Sequence, residues 1–126
     1  MAASNQALTT QVGGNHYATM KYQPIQFAMD AQLNPVQFSI VKYVSRYKNK
    51  NGLQDLQKAL HFCEIGAEID TVAIGDDIHW QNTLLNRYVH ENKLSVMQDV
   101  IISHASVKQY VYAADKIRKL IAESDQ

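Results

Sequence analysis

Between Asn34 and Ala67 apolar side chains return every three or four residues, and the pattern is interrupted once, at Asn51-Gly52. That spacing suits an amphipathic helix with one buried stripe. The interruption makes it two helices. Asn34 can cap the first and Pro35 can occupy its opening turn. Gly52 can take the left-handed backbone that a helix end requires. Val36, Ile40, Tyr43, Val44 and Tyr47 form the first stripe, and Leu53, Leu56, Leu60, Cys63 and Ala67 the second. A turn this short forces the two helices to lie side by side.

The rest of the chain extends the same theme. Residues 1 to 11 are small and polar, and Val12-Gly13-Gly14-Asn15-His16-Tyr17 carries the paired glycines of a turn or loop, so this segment reads as a flexible arm. Pro24 opens a short helix with an apolar face at Ile25, Phe27, Ala28 and Met29, ending near Leu33. After Asp70, Gly75 and then Asp76 or Asp77 mark a helix end and a new start, the clearest boundary in the chain. Ile78, Leu84, Leu85, Tyr88 and Val89 make the next face, with His79 and Trp80 near its start. Ser95 to Gln98 reads as a capping box for a short helix through Ile102. The last helix is expected from near Ser106, with its face at Val107, Tyr110, Val111, Ala114, Ile117 and Ile121. No strand signal of similar length occurs. The expected fold is all-α: a compact bundle of five to six helices with a flexible N-terminal arm. Its parts are the arm at 1–22, a helical core at 23–71 and a C-terminal extension at 76–126 packed on that core.

Composition excludes several function classes. Twelve basic and twelve acidic side chains balance, so there is no global field to drive non-specific binding to nucleic acid or anionic membrane. Any anion site must be local. No apolar run approaches the roughly 20 residues that span a bilayer, and the N-terminus lacks the pattern of a secretion signal. The single cysteine, Cys63, lies on an apolar seam and suits a reducing compartment. A soluble cytoplasmic protein is expected. No Walker A motif is present.

The chemistry concentrates between Lys42 and Ala59. Residues four apart on a helix drift by only about 40°, so Lys42, Arg46 and Lys50 form one basic stripe. Such stripes usually only keep a protein soluble. Here Tyr43 and Tyr47 stand beside the cations, which offers aromatic faces for a base and positive charge for phosphate. On the next helix His61, Glu64 and Glu68 are spaced to reach one point, although such trios are common on wet helix faces.

Three separated blocks carry a resemblance: Val12-Gly13-Gly14-x-His16-Tyr17, Gln23-Pro24-Ile25-x-Phe27, and Lys42-Tyr43-x-x-Arg46-x-Lys48-x-Lys50-x-Gly52-x-x-Asp55-Leu56-x-Lys58-Ala59-x-His61-Phe62. From Val12 to about Asp70 the chain resembles a family of small bacteriophage proteins of unknown function, often labelled nucleotide kinase-like. The resemblance implies a phage-encoded nucleotide-binding protein, present in the host cytoplasm during infection, with deoxynucleoside monophosphate kinase-like activity. It groups His16, Tyr17, Lys42, Arg46, Lys50, Asp55 and Lys58. The arm would close over a pocket in which Arg46 and Lys42 hold phosphate and Tyr43 or Tyr47 meets a base. His16 would touch phosphate or act as acid or base. Asp55 has two readings: it positions magnesium or a sugar hydroxyl, or it caps its helix and pairs with Lys58. Magnesium would be the cofactor if the ligand is turned over. Nothing beyond residue 75 shares the resemblance.

Two other functions fit the same sequence. A non-catalytic sponge would sequester a nucleotide-derived host immune signal with the same cations and tyrosines. A helical interaction protein would instead inhibit a host factor through the seam from Tyr110 to Ile121. The all-α pyrophosphohydrolases rank low, because their paired glutamate motif is absent. Long apolar seams on short helices point to a homo-oligomer.

Overall fold

The computed structural model describes residues 6–14, 17–49, 51–71 and 82–124 in full, and the backbone of 78–81. Among these residues there are six helices and no strand: α1 (Pro24–Asp30), α2 (Pro35–Arg46), α3 (Leu53–Ile69), α4 (Ile78–Glu91), α5 (Val96–Ser106) and α6 (Tyr110–Ser124).

Two helices begin on the same device. Asn34 Oδ1 accepts from the Gln37 backbone N–H at 2.9 Å while Gln37 Oε1 accepts from that of Asn34 at 2.9 Å. Ser95 and Gln98 repeat this reciprocal capping at the start of α5. Both glutamines are buried, and each has an amide left to place. Gln37 Nε2 donates to the Ala105 and Ser106 carbonyls at the end of α5, and Gln98 Nε2 donates to the Val44 carbonyl near the end of α2. Each helix start is therefore bolted to the other's end, which makes α2 and α5 antiparallel.

The four most extensive packings run α2 to α3, α3 to α6, α6 to α5 and α5 to α2, a closed ring of helices around one core. Ile40, Val41, Val44, Leu56, Ile101, Ile102 and Ile117 fill it. The shorter α1 and the helix α4 cover one side, through Phe27 stacked on Tyr88 at 4.8 Å between centroids and Tyr22 set edge-on to both. Tyr88 brings its hydroxyl inside, where it meets Ser45 Oγ at 2.7 Å. That bond removes the cost of burying both hydroxyls.

Asp70, just past α3, ties three elements. It accepts from Asn34 Nδ2 at 2.8 Å, from Tyr110 O–H at 2.5 Å and from Lys108 Nζ at 3.2 Å. The tyrosine bond, helped by Asn34 and Lys108 and opposed by burial, holds the carboxyl below its usual range. The Tyr110 ring lies flat on Gly66, where a Cβ would stand 2.7 Å from ring carbons.

The expected registers shift in places. The buried face of α3 is Asp55, Leu56, Ala59, Cys63 and Gly66, not the seam through Leu53 and Ala67, both of which are exposed. A buried Asp and a Gly carry that face because Arg46 and Tyr110 fill the space, which an apolar count misses. α1 stops at Asp30, and Gln32 turns the chain with φ of 56°. α5 continues past Ile102 to Ser106, and α6 starts only at Tyr110, because Val107 caps α5 and Lys108 takes φ of 63°. Val111 is consequently exposed while Ala113 is buried. Tyr110, Ala114 and Ile117 of the expected seam lie in the core. Asp76 and Asp77 lie outside the described residues. No helix among the described residues is long and apolar enough to cross a membrane.

Candidate functional site

The short turn between α2 and α3 sets the site. Gly52, with φ of 47°, returns its N–H to the Tyr47 carbonyl at 3.0 Å, and the last residue of α2 then faces the first turn of α3. Arg46 Nε donates to Asp55 Oδ2 at 3.1 Å and Nη2 to Oδ1 at 3.0 Å, a two-pronged pair. The Asn51 backbone N–H also donates to Oδ2, at 3.3 Å. Asp55 is wholly buried with both oxygens taken. Its partner is thus Arg46, not Lys58, and in this arrangement it presents no oxygen to a metal or a sugar. Burial works against the Arg46 charge, but its bonds to Asp55 and Tyr17 outweigh that and raise its pKa.

The remaining side of Arg46 holds the arm. Nη1 donates to the Tyr17 hydroxyl at 3.0 Å. Burial raises the Tyr17 pKa, with the Arg46 bond opposing. Gln11 Oε1 accepts from the backbone N–H groups of Tyr17 and Ala18, and Gln23 Nε2 donates to the Leu8 carbonyl. The described arm therefore lies against the bundle. Beneath it, beside α1 and α2, is a cavity of about 290 Å³ with apolar walls from Val12, Pro24, Ile25 and Phe38 and polar atoms from Tyr17 and Lys42.

Tyr43 is the hub of the charge. Arg46 Cζ stands 4.8 Å from its ring centroid, Lys42 Nζ 4.9 Å and Lys58 Nζ 5.4 Å. The ring stacks on Phe62 at 6.1 Å, and Lys42 Nζ also lies 6.0 Å from Phe38. No carboxylate among the described residues pairs with Lys42 or Lys58. Three cations against the one carboxylate of Asp55 leave two positive charges uncompensated around one aromatic ring.

The structure thus brings together Tyr17, Lys42, Tyr43, Arg46, Asp55 and Lys58. Tyr47 is set apart, in an opening with Leu53, Leu120 and Glu123. His16 and Lys50 lie outside the described residues. His61, Glu64 and Glu68 are exposed, and no group of three acidic, His or Cys side chains among the described residues is placed to hold a metal. Phe38 and Phe62 are the members that helix spacing missed. Phe38 precedes Lys42 by four residues and Phe62 follows Lys58 by four, so the one-turn rule that found the cations would have found the rings.

The chain matches no curated protein and no solved structure. Residues 12–64, which contain every member of this cluster and neither α4, α5 nor α6, match the model of a family described as a protein of unknown function, DUF3310.

Proposed function

We propose that this protein binds a nucleotide-class ligand at the Tyr43 cluster and holds it without turning it over. The observation that carries this reading is the pair of unpartnered ammonium groups, Lys42 and Lys58, beside the Tyr43 ring and next to an apolar cavity that Lys42 also lines. Ammonium groups serve phosphate as point charges, and apolar walls suit the face of a base. About 290 Å³ is at the small end of ligand cavities, enough for one compact organic anion. Arg46 and Asp55 would set the floor of the site, since their polar atoms are spent on each other and on Tyr17.

Phosphoryl transfer needs a metal ligand near the phosphates, and the carboxylate best placed to be one, Asp55, is committed to Arg46. That favours sequestration over kinase-like turnover. In an infected cell such a protein would deplete a nucleotide-derived signal by mass action.

A thermal-shift screen tests this with nucleoside mono-, di- and triphosphates and with cyclic and ADP-ribose-type nucleotides, with and without magnesium. Ligand at 100 times its dissociation constant adds about 2.7 kcal/mol to stability. The expected result is a shift with one class that vanishes in Lys42→Ala/Lys58→Ala, with chromatography recovering the ligand unchanged. A magnesium-dependent phosphorylated product would replace holding with turnover. The absence of a shift with every compound overturns nucleotide binding altogether.

A further inference from the structure

On another side of α2 a second concave surface gathers charge. An opening of about 470 Å³ is lined by Lys21 from the segment before α1, Lys48 from the α2–α3 turn and Lys93 from the α4–α5 turn. An adjoining opening of about 650 Å³ shares Lys21, Glu91, Lys93 and Leu94 with it and continues along α4 past His90, so the two form one groove. None of its lining residues lines the cavity under the arm.

The groove's one carboxylate is Glu91, and its Oε1 accepts from Arg87 Nε at 3.4 Å. No carboxylate among the described residues pairs with Lys21, Lys48 or Lys93. Three lysines from three separate segments therefore converge on a surface whose only counter-charge is drawn elsewhere. An anion seated among them would meet positive charges from three sides.

Helix dipoles explain part of this and not all of it. Lys48 and Lys93 follow the C-termini of α2 and α4, where cations are favoured. Lys21 lies just ahead of the N-terminus of α1, where they are not. Lys93 also takes a left-handed backbone, φ of 54°, at a position that glycine or asparagine fills at less cost. The other left-handed lysine, Lys108, reaches Asp70 at 3.2 Å. Lys93 has the same strained backbone and no such carboxylate.

We infer that this groove, set by Lys21, Lys48 and Lys93, is a second anion site, distinct from the Tyr43 cluster, that takes a linear phosphate chain. Among the described residues no Phe, Tyr or Trp lines it, and His90 is the one ring beside it on which a base could stack. Its floor is rigid. Gln98 Nε2 is held by the Val44 carbonyl and Ser45 Oγ by Tyr88, so recognition falls to the lysines, with Asn49 and Asn92 between them.

The test is isothermal titration of sodium tripolyphosphate into the full chain, with a nucleoside triphosphate and the bare nucleoside as parallel arms. Saturable tripolyphosphate binding is expected, weakened tenfold or more in Lys48→Ala/Lys93→Ala and unchanged in Lys119→Ala, which lines none of these openings. With the Tyr43 cluster disabled by Lys42→Ala/Lys58→Ala, the nucleoside triphosphate should bind the groove no tighter than tripolyphosphate and the bare nucleoside should not bind; tighter nucleoside triphosphate binding there overturns a site for the phosphate chain alone. All variants are exposed or partly exposed lysines, and unchanged melting temperatures verify their folding. Absence of saturable binding overturns the site. So does a loss confined to Lys42→Ala/Lys58→Ala, or an equal loss in the control Lys119→Ala.

Discussion

The Arg46–Asp55 pair makes the sharpest prediction about how the site is built. Its side chains are 11% and 0% exposed, and it makes two hydrogen bonds at 3.0 and 3.1 Å. Removing one partner leaves the other charge buried and alone, which costs about 3–5 kcal/mol. Asp55→Ala should fall in that range. It strips Arg46 of its carboxylate partner and the Asn51 backbone N–H of its side-chain acceptor, while Tyr17 remains to Arg46 as a neutral partner. For a domain of this size each kcal/mol moves the melting temperature by about 3–5 °C, so a fall of about 10–25 °C is expected. Removing both charges with residues of similar volume, Arg46→Met/Asp55→Leu, should recover most of the loss, because apolar replacements avoid desolvation altogether. Urea unfolding followed by circular dichroism gives both values. A single Asp55→Ala costing less than about 1 kcal/mol, or a double variant as unstable as the single, would refute the view that this pair is a closed structural unit.

Other consequences concern the frame. Gly66→Ala places a methyl 2.7 Å from a Tyr110 ring that is 3% exposed and tethered to Asp70. Overpacking of about 1–3 kcal/mol should outweigh the gain of up to about 1 kcal/mol from alanine in a helix, seen as a lowered urea midpoint. Cys63 is buried, and its thiol is pushed up to about 12, chiefly by that burial. It should resist a disulfide-exchange reagent at pH 8 in the native state and react once the chain is unfolded. Because the folded Asp70 carboxyl titrates below its unfolded value, its contribution is complete above about pH 4 and is lost as pH falls through the folded pKa. Melting temperature against pH should drop below that point, and Asp70→Asn should start lower and drop less.

Helix type and order were legible from spacing and punctuation. Asn34-Pro35 and Ser95 to Gln98 each specify a local event through one or two backbone groups, and each stands where it was expected; Asn51-Gly52 does not close α2, which ends earlier, at Arg46 with Tyr47 as its C-cap, and Gly52 instead opens α3 as its N-cap. Registers depending on partners far along the chain were not. Nothing near Gly66 announces that Tyr110 will lie on it, so α3 reads as an apolar seam and turns out to be centred on Asp55 and Gly66. The site divides the same way. Lys42, Tyr43 and Arg46 share one helix face and were found by period. The Arg46–Asp55 pairing, by contrast, depends on the rotation of α3 against α2, and nearest-neighbour logic chose Lys58 for Asp55 because it is three residues away. Tyr17 was grouped with these residues only by resemblance, since no periodicity links the arm to α2.

The central claim is that the uncompensated ammonium groups at Tyr43 hold an anionic nucleotide. Its most direct measurement is isothermal titration of the nucleotide giving the largest thermal shift into the wild-type protein, Lys42→Ala/Lys58→Ala and Lys48→Ala/Lys93→Ala. Each lost phosphate contact of this kind is worth about 1.5–3 kcal/mol. Affinity should therefore fall at least a hundredfold in the first variant, and the measured stoichiometry should be one site per Tyr43 cluster. Affinity within twofold of wild type in Lys42→Ala/Lys58→Ala would contradict the account and move the ligand elsewhere on the molecule.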